Sequence, residues 1–183
     1  MRPAAWTGVV ARVRCVSGEL LTIASLNTRG IPLTGSQLAE RCAVIGAGFD
    51  AGDADVVCCR ELFTANRSYP LHRAEFAVLA HVVNEAGPRA VVCGDFNIAR
   101  ESALFGEFTA ATGLADAFEG ACPPTFRAEY LPAGATPHCI DFILTAGEVT
   151  AESAELVFAG KEPLGYVSDH IGLRARLSLT PTG

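Results

Sequence analysis

The stretch at residues 90–97, AVVCGDFN, constrains the fold more than any other part of this chain. An apolar run that stops at Gly94 is typical of a buried strand, here over residues 90–94. Buried strands of this kind deliver the polar residues that follow them to an edge of the sheet. Two residues apart on an extended backbone, the side chains of Asp95 and Asn97 would leave on the same face. The stretch therefore predicts a carboxylate and an amide directed at one group, a geometry that suits a phosphate and an attacking water.

Length and charge narrow the class of protein. The 183 residues, half of them hydrophobic, predict a single domain over 1–183 with a real core, and residues 1–19 are a candidate N-terminal extension. The formal net charge is −6 and the sequence has no basic cluster. Nucleic-acid binders usually present a basic stripe to phosphates, so a nucleic-acid partner is disfavoured. A bound divalent metal supplies local positive charge, which keeps a nuclease as an alternative.

The cysteines and the N-terminus bear on location. The seven cysteines form an odd set without CxxC spacing, and several lie within apolar runs. This pattern favours reduced thiols in a reducing compartment, used for core packing rather than reactivity, and predicts a cytoplasmic protein. The apolar patch near the N-terminus is too short for a membrane span and is a poor signal peptide. The cysteines are Cys15, Cys42, Cys58, Cys59, Cys93, Cys122 and Cys139.

Hydrophobic periodicity predicts one mixed α/β domain. The first helix should follow a capping box at Thr34 and Gln37 and end near residues 48–52, the second should begin at Pro70, and the third should be capped by Gly113. The third helix is expected over 102–112. Strands are expected at 20–26, 55–59, 90–94, 125–130, 139–144, 153–158 and 171–179, the last with one wet face.

Polar residues recur where the predicted strands end. Carboxylates, amides and one histidine together make an oxygen-rich candidate site, which favours Mg²⁺ or Mn²⁺ over zinc. The candidate residues are Asn27, Glu61, Asp95, Asn97, Asp141, Asp169 and His170.

Five motifs occur in a fixed order between residues 20 and 179: LNTRG, CCRE, GDFN, CIDFIL and SDHIGL. In this order they resemble the motif series of the endonuclease/exonuclease/phosphatase superfamily. The resemblance implies a layered α/β sandwich and the hydrolysis of a metal-bound phosphate ester, attacked in line by water. It also implies a divalent metal ion as cofactor and a phosphate ester as substrate.

The resemblance implies a metal environment built by three of these residues. Glu61 matches the glutamate that holds the metal. Asp169 matches the adjacent carboxylate near the metal. Asn27 matches an amide that completes the metal environment and binds phosphate oxygens.

The same resemblance implies the catalytic roles. Asp95 matches the aspartate that orients and deprotonates the water, and Asn97 matches a second amide that binds phosphate. His170 matches the histidine that donates to a non-bridging phosphate oxygen. Asp141 matches the carboxylate that fixes the tautomer of this histidine and keeps it protonated.

Taken singly, each residue has a structural alternative. Asparagine and aspartate are frequent in turns, so Asn27 and Asp95 could be turn residues. A glutamate such as Glu61 is typical of a solvated strand end, and a single histidine such as His170 is more often structural than catalytic. Their joint occurrence favours the site. The remaining histidines, His72, His81 and His138, fit no motif position.

The chain departs from the family between the metal glutamate and the GDFN strand. Only residues 62–89 separate them, and most of these are predicted to form the second helix. The family has a long middle section here with a second catalytic histidine, which nothing in residues 63–69 matches. An internally truncated sandwich is therefore expected, with a sheet edge that is either exposed, which invites self-association, or repaired by the N-terminal extension. Reduced activity is expected as well.

The leading hypothesis is a Mg²⁺-dependent phosphodiesterase that acts on small or lipid-like phosphate esters. The alternatives are a non-catalytic remnant that binds metal or phosphate without turnover, and an endonuclease. A chain shortened by an error in gene prediction is a further alternative.

Overall fold

The computed structural model describes residues 9–12, 20–28, 38–51, 54–60, 69–161 and 165–180. This part of the chain contains three α-helices, which are α1 (Leu38–Asp50), α2 (Tyr69–Ala86) and α3 (Ala103–Thr112). Its strands are β1 (Val9–Arg12), β2 (Leu20–Asn27), β3 (Val56–Arg60), β4 (Ala90–Asp95), β5 (Ala115–Asp116), β6 (Asp141–Thr145), β7 (Val149–Val157) and β8 (Gly172–Leu179).

The described strands form two four-stranded sheets. Sheet A has the order β1-β4-β6-β5, and sheet B has the order β3-β2-β8-β7. The pair β2 and β3 is parallel, whereas the other pairs are antiparallel. One hydrophobic cluster lies between the sheets, and another lies between sheet A and the helices α2 and α3. The predicted mixed α/β sandwich is confirmed.

Side-chain alternation along β4 decides which way its polar end points. Ala90 and Val92 pack under the helices, whereas Val91 and Cys93 pack between the sheets. Asp95 continues the second set, because residues two apart on a strand share a face. Gly94 has φ +141°, a backbone conformation that favours glycine. The strand therefore ends with its carboxylate on the side that faces sheet B.

Helix α3 follows its predicted signals closely. Ser102 is the N-cap, and its hydroxyl accepts a hydrogen bond of 3.2 Å from the Phe105 amide. Gly113 ends the helix in the left-handed region, with φ +66°. The helix buries Leu104, Phe105 and Phe108 against sheet A. These contacts hold the outer face of the sheet that carries Asp95.

The prediction of a strand at residues 125–130 is wrong. Phe126 forms only an isolated bridge with His170, and Ala128–Tyr130 is a short 3₁₀ turn. The cause is Arg127, which is buried and donates to the carbonyl oxygens of Ser168 and Ala159, both at 3.0 Å. The segment is therefore held by the Arg127 side chain together with a few backbone hydrogen bonds to residues 169 and 171, and it does not form a continuous strand. The short strand β5 was not predicted, because two residues carry no period.

The sequence leaves two alternatives for the sheet edge beside the glutamate strand, which are repair by the N-terminal extension and exposure. The N-terminal strand β1 pairs with β4 in sheet A, so it does not repair the glutamate strand β3. Among the described strands, β3 lies at the edge of sheet B, and Val56 and Val57 are exposed. Between β3 and β4, the described residues contain α2 and no strand. Self-association through the β3 edge stays a prediction.

The capping box at Thr34 and Gln37 lies outside the described residues. Among the helices described here, none has the length and apolar character needed to cross a bilayer.

Candidate active site

Four polar side chains meet at one end of the space between the sheets. Asn27 ends β2, Asp95 ends β4, Asp141 begins β6, and His170 lies just before β8. All four are buried, with between 3% and 8% of their surface exposed. Buried polar groups are stable only when they are paired, so their mutual contacts define the site.

Strand register brings the two aspartates together. Asp95 and Asp141 are direct partners in the antiparallel ladder of β4 and β6. Like charges opposite each other are destabilising, and a nearby cation relieves the repulsion. His170 lies in this position: its Nδ1 is 2.8 Å from Asp141 Oδ2, and its Nε2 is 3.8 Å from Asp95 Oδ2. The first contact is a hydrogen bond, and the second is too long for one.

Asn27 connects the site to sheet B. Its side-chain Nδ2 donates to Asp95 Oδ2 at 3.1 Å and lies 3.4 Å from His170 Nε2. Asn27 also pairs with Arg60, the last residue of β3, in the parallel ladder. The amide thus contacts the two titratable groups that come from opposite sheets.

Asn97 is placed in the site by a turn, whereas an extended strand was the prediction. The strand ends at Asp95, and Asn97 adopts a left-handed conformation with φ +52°. Asp95 Oδ1 accepts from the Asn97 backbone amide at 2.8 Å, which is an Asx turn, and Oδ2 accepts from Asn97 Nδ2 at 3.2 Å. The two side chains are therefore joined by a turn and not by a shared strand face. Asp95 is both a turn former and a member of the site.

The surroundings shift the pKa values of Asp95 and His170. Burial, together with the facing Asp141 carboxylate, raises the pKa of Asp95 to about 7, although His170 and the amide donors act in the opposite direction. Burial by itself lowers the pKa of His170, but the carboxylates of Asp141, Asp95 and Asp169 raise it to about 9. Near neutral pH, His170 is therefore an imidazolium. The Asp95 carboxyl group gains or loses its proton near the same neutral pH.

The carboxylates and the imidazole of Asp95, Asp141 and His170 lie close enough for a metal ion, with candidate ligand atoms within 4.8 Å of one another. Charge argues against this use of the histidine. A protonated imidazole has no lone pair for a metal, and its Nδ1 is bound to Asp141. A hard cation such as Mg²⁺ prefers carboxylate and amide oxygens, so it fits the oxygen donors of the site better than the imidazole.

Two predicted metal ligands have different positions. Asp169 lies beside His170 in sequence and is half-buried; its Oδ1 lies 3.3 Å from Ser168 Oγ. Glu61 lies outside the described residues, directly after Arg60 in the chain. The structure thus brings together Asn27, Asp95, Asn97, Asp141 and His170, with Asp169 adjacent.

Sequence reasoning missed the residues that hold this site in place. The Ser168 hydroxyl donates to the Asn27 carbonyl oxygen and accepts from the His170 amide at 3.1 Å. Thr125, fully buried, accepts with its Oγ1 from the amides of Ile140 and Asp141 at 3.0 and 3.1 Å. Ser168 could have been found from its place in the SDH motif. Thr125 carries no sequence signal, because its partners lie 15 and 16 residues away.

The unassigned histidines play no part here. His81 and His138 are exposed and lie near surface glutamates. His72, half-buried on α2, is not among the four clustered side chains.

The fold has clear structural relatives. A truncated TDP2 from Caenorhabditis elegans aligns with a TM-score of 0.71 at 14% identity, over 90% of this chain and 100% of that one. An endonuclease/exonuclease/phosphatase family protein from Bacteroides thetaiotaomicron aligns with a TM-score of 0.69 at 14% identity, over 89% and 99%. A humanized D. rerio TDP2 with 14 mutations gives 0.66 at 17% identity, over 87% and 99%. This chain has their architecture in a shortened form.

Sequence comparison leads to the same family. No curated protein matches the chain significantly. The model of the endonuclease/exonuclease/phosphatase family, however, matches residues 24–170, which include every described member of the site. The chain therefore belongs to the endonuclease/exonuclease/phosphatase family.

Proposed function

We propose that this protein is a phosphoesterase that depends on a divalent metal ion, Mg²⁺ or Mn²⁺, and that hydrolyses phosphodiesters. The observation that carries the proposal is the convergence of Asn27, Asp95, Asp141 and His170 in one buried cluster. Family membership supports the reaction class. The cluster places a carboxylate, an imidazolium and an amide donor side by side, which are groups that the hydrolysis of a phosphate ester can use.

Asp95 is the proposed general base. Its carboxylate is oriented by three amide contacts, two from Asn97 and one from Asn27. The pKa of about 7 allows it to accept a proton from water near neutral pH. Burial excludes bulk solvent, so the proton has few competing acceptors.

His170 is the proposed donor to the phosphate. Asp141 holds Nδ1 and keeps the ring protonated, which leaves the Nε2 proton on the side of Asp95 and Asn27. A cationic donor at this place stabilises the charge that develops on a non-bridging phosphate oxygen. The side-chain amides of Asn27 and Asn97 are the proposed further contacts to phosphate oxygens.

Glu61, Asp169 and Asn27 are the residues proposed to hold the metal ion. Their oxygen donors suit Mg²⁺, and Glu61 follows the strand that pairs with Asn27. A bound divalent cation supplies positive charge that polarises the phosphate. The proposed substrates are small or lipid-like phosphodiesters, since the net charge of −6 and the lack of a basic cluster disfavour nucleic acid. The protein is proposed to act in the cytoplasm.

The test is the hydrolysis of a nitrophenyl phosphodiester by the full chain with Mg²⁺, with EDTA, and as Asp95→Asn. We expect the variant and EDTA each to reduce the rate by about 10²- to 10⁴-fold. Glu85→Gln, an exposed carboxylate on α2, is the matched control and should keep the wild-type rate. Equal rates under all conditions would refute the proposal. Mg²⁺ binding by calorimetry without metal-dependent turnover would instead establish a non-catalytic remnant, and faster cleavage of a DNA duplex would establish an endonuclease.

A further inference from the structure

Two buried cysteines face each other across the space between the sheets. Cys58 lies on β3 of sheet B, and Cys93 lies on β4 of sheet A. Their sulfur atoms are 3.1 Å apart, and both are reduced thiols with less than a tenth of their surface exposed. The sequence favours core packing over reactivity for these residues. The short distance between the sulfur atoms indicates that the two thiols can also react with each other.

The two sheets lie closer together than usual where β3 faces β4. Stacked sheets are usually about 10 Å apart, but residues of β3 and β4 approach within 8 Å between Cα atoms. A disulfide has an S–S bond of about 2.0 Å and Cα atoms about 4.4 to 6.8 Å apart. The sulfur atoms would need to move closer by only about 1 Å to reach this bond length. Since β3 lies at the edge of sheet B among the described strands and exposes Val56 and Val57, it can move more readily than a central strand.

We propose that Cys58 and Cys93 are a site of reversible oxidation, at which a peroxide converts the two thiols into a disulfide between the sheets. One hydrogen peroxide and two thiols give one disulfide and two waters. The S–S bond forms while two S–H bonds and the O–O bond break, and the two electrons lost by the sulfurs reduce the peroxide. Hydrogen peroxide is small and uncharged, so it can reach a thiol pair that lies beside the outermost described strand of sheet B. A reducing dithiol restores the two thiols by exchange.

The disulfide would connect the two halves of the proposed active site. Cys93 lies two residues before Asp95, and Cys58 lies two residues before Arg60, the strand partner of Asn27. The two cysteines are 35 residues apart, and α2 lies within the loop that the bond closes. Closing a loop of this length restricts the unfolded chain and stabilises the fold. This inference does not depend on the proposed function.

The experiment treats the full chain with hydrogen peroxide and maps the peptides by mass spectrometry without reduction. We expect a peptide pair linked through Cys58 and Cys93, reversed by dithiothreitol, and a rise in Tm of about 5 to 10 °C. The linkage should be lost in Cys58→Ala and in Cys93→Ala, and retained in Cys59→Ala and Cys122→Ala. Circular dichroism of each variant establishes that it is folded.

Four outcomes would overturn the proposal. A link formed only between Cys122 and Cys139 would place the oxidation at the thiols beside Arg100, whose Nη2 lies 3.6 Å from Cys139 Sγ. A link through Cys59 would assign the bond to the neighbouring thiol. Sulfinic acid at Cys93 without a crosslink, or no change in mass, would show that the pair does not close. The wild-type peptide map decides among these results even where a variant fails to fold.

Discussion

Sheet A and sheet B differ in how their faces are covered. In sheet A, every residue of β4 and β6 is buried, because α2 and α3 pack on one face and sheet B packs on the other. In sheet B, β8 alternates between buried and more exposed residues, β7 is largely solvated, and β3 exposes Val56 and Val57. Helix α1 covers sheet B near Leu26.

This difference determines what each sheet contributes to the site. The two aspartates come from the fully covered sheet A, where burial gives Asp95 its raised pKa. Sheet B contributes the neutral amide of Asn27, and the strand that precedes Glu61 is its exposed edge. The fully covered sheet therefore holds both aspartates, while the more open sheet holds Asn27, the strand leading to the proposed metal ligand and, just before β8, His170. Substitutions on the two sheets should have correspondingly different effects.

The largest expected contrast is in packing. Phe142 on β6 is fully buried, with its ring 4.4 Å from that of Phe105 and 5.2 Å from that of Phe96. Phe142→Ala should lower the free energy of unfolding by about 3 to 5 kcal/mol, whereas Val57→Ala on β3 should change it by less than about 1 kcal/mol. Urea denaturation measures both. Equal losses would show that the two sheets are covered to the same degree, and Phe142→Leu, which keeps most of the volume, should be intermediate.

The second contrast concerns the pair of Asp141 and His170. Asp141→Asn removes the carboxylate that raises the pKa of His170, so the imidazolium should lose its proton at a lower pH than about 9. We expect a drop in kcat of about 10- to 100-fold, at the low end of the range for acid-base groups. NMR titration of the His170 ring in EDTA measures the pKa without a metal. Glu155→Gln on β7, an exposed carboxylate, is the control and should leave both quantities unchanged.

The third prediction concerns the stability that sheet A loses by burying the Asp95 carboxylate. The pKa of Asp95 is about 7 in the folded chain, above its ordinary value of 3.8, so the folded state binds the proton more tightly than the unfolded one. The stability due to this proton is present below about pH 4 and is lost as the pH rises through about 7. Asp95→Asn resembles the protonated acid, so in EDTA it should stabilise the protein by about 1 to 3 kcal/mol at pH 8. Near pH 4 the gain should largely vanish, and Tm values at the two pH values measure this. A variant less stable than wild type at pH 8 would contradict the assigned burial cost.

The last prediction concerns Thr125, which makes hydrogen bonds to both sheets. Thr125 Oγ1 accepts from amides at the start of β6 in sheet A, and its carbonyl oxygen accepts from the Ile171 amide just before β8 in sheet B. Thr125→Val keeps the shape but removes the hydroxyl acceptor, so it should cost about 1 to 3 kcal/mol in thermal or urea unfolding. Ser153→Ala on the solvated strand β7 is the control. A loss equal to that of the control would mean that the hydroxyl does not connect the sheets.

Local pattern determined much of this molecule. The strand that presents Asp95, the caps of α3 at Ser102 and Gly113, and the wet face of β8 follow from periodicity and turn chemistry within a few residues. The motif order led to the family, because it preserves the chain positions at which strands end. These features depend on neighbours in sequence, and sequence patterns report such neighbours directly.

Tertiary structure alone decided how those pieces meet. That β1 joins β4 rather than β3 depends on long-range pairing. The same is true of the Asp95 and Asp141 partnership and of the contact between Cys58 and Cys93. Asn97 follows a turn because the Asp95 carboxylate captures its amide. Register and burial result from packing over many residues at once, so the shifted pKa values of Asp95 and His170 arise only in the folded chain.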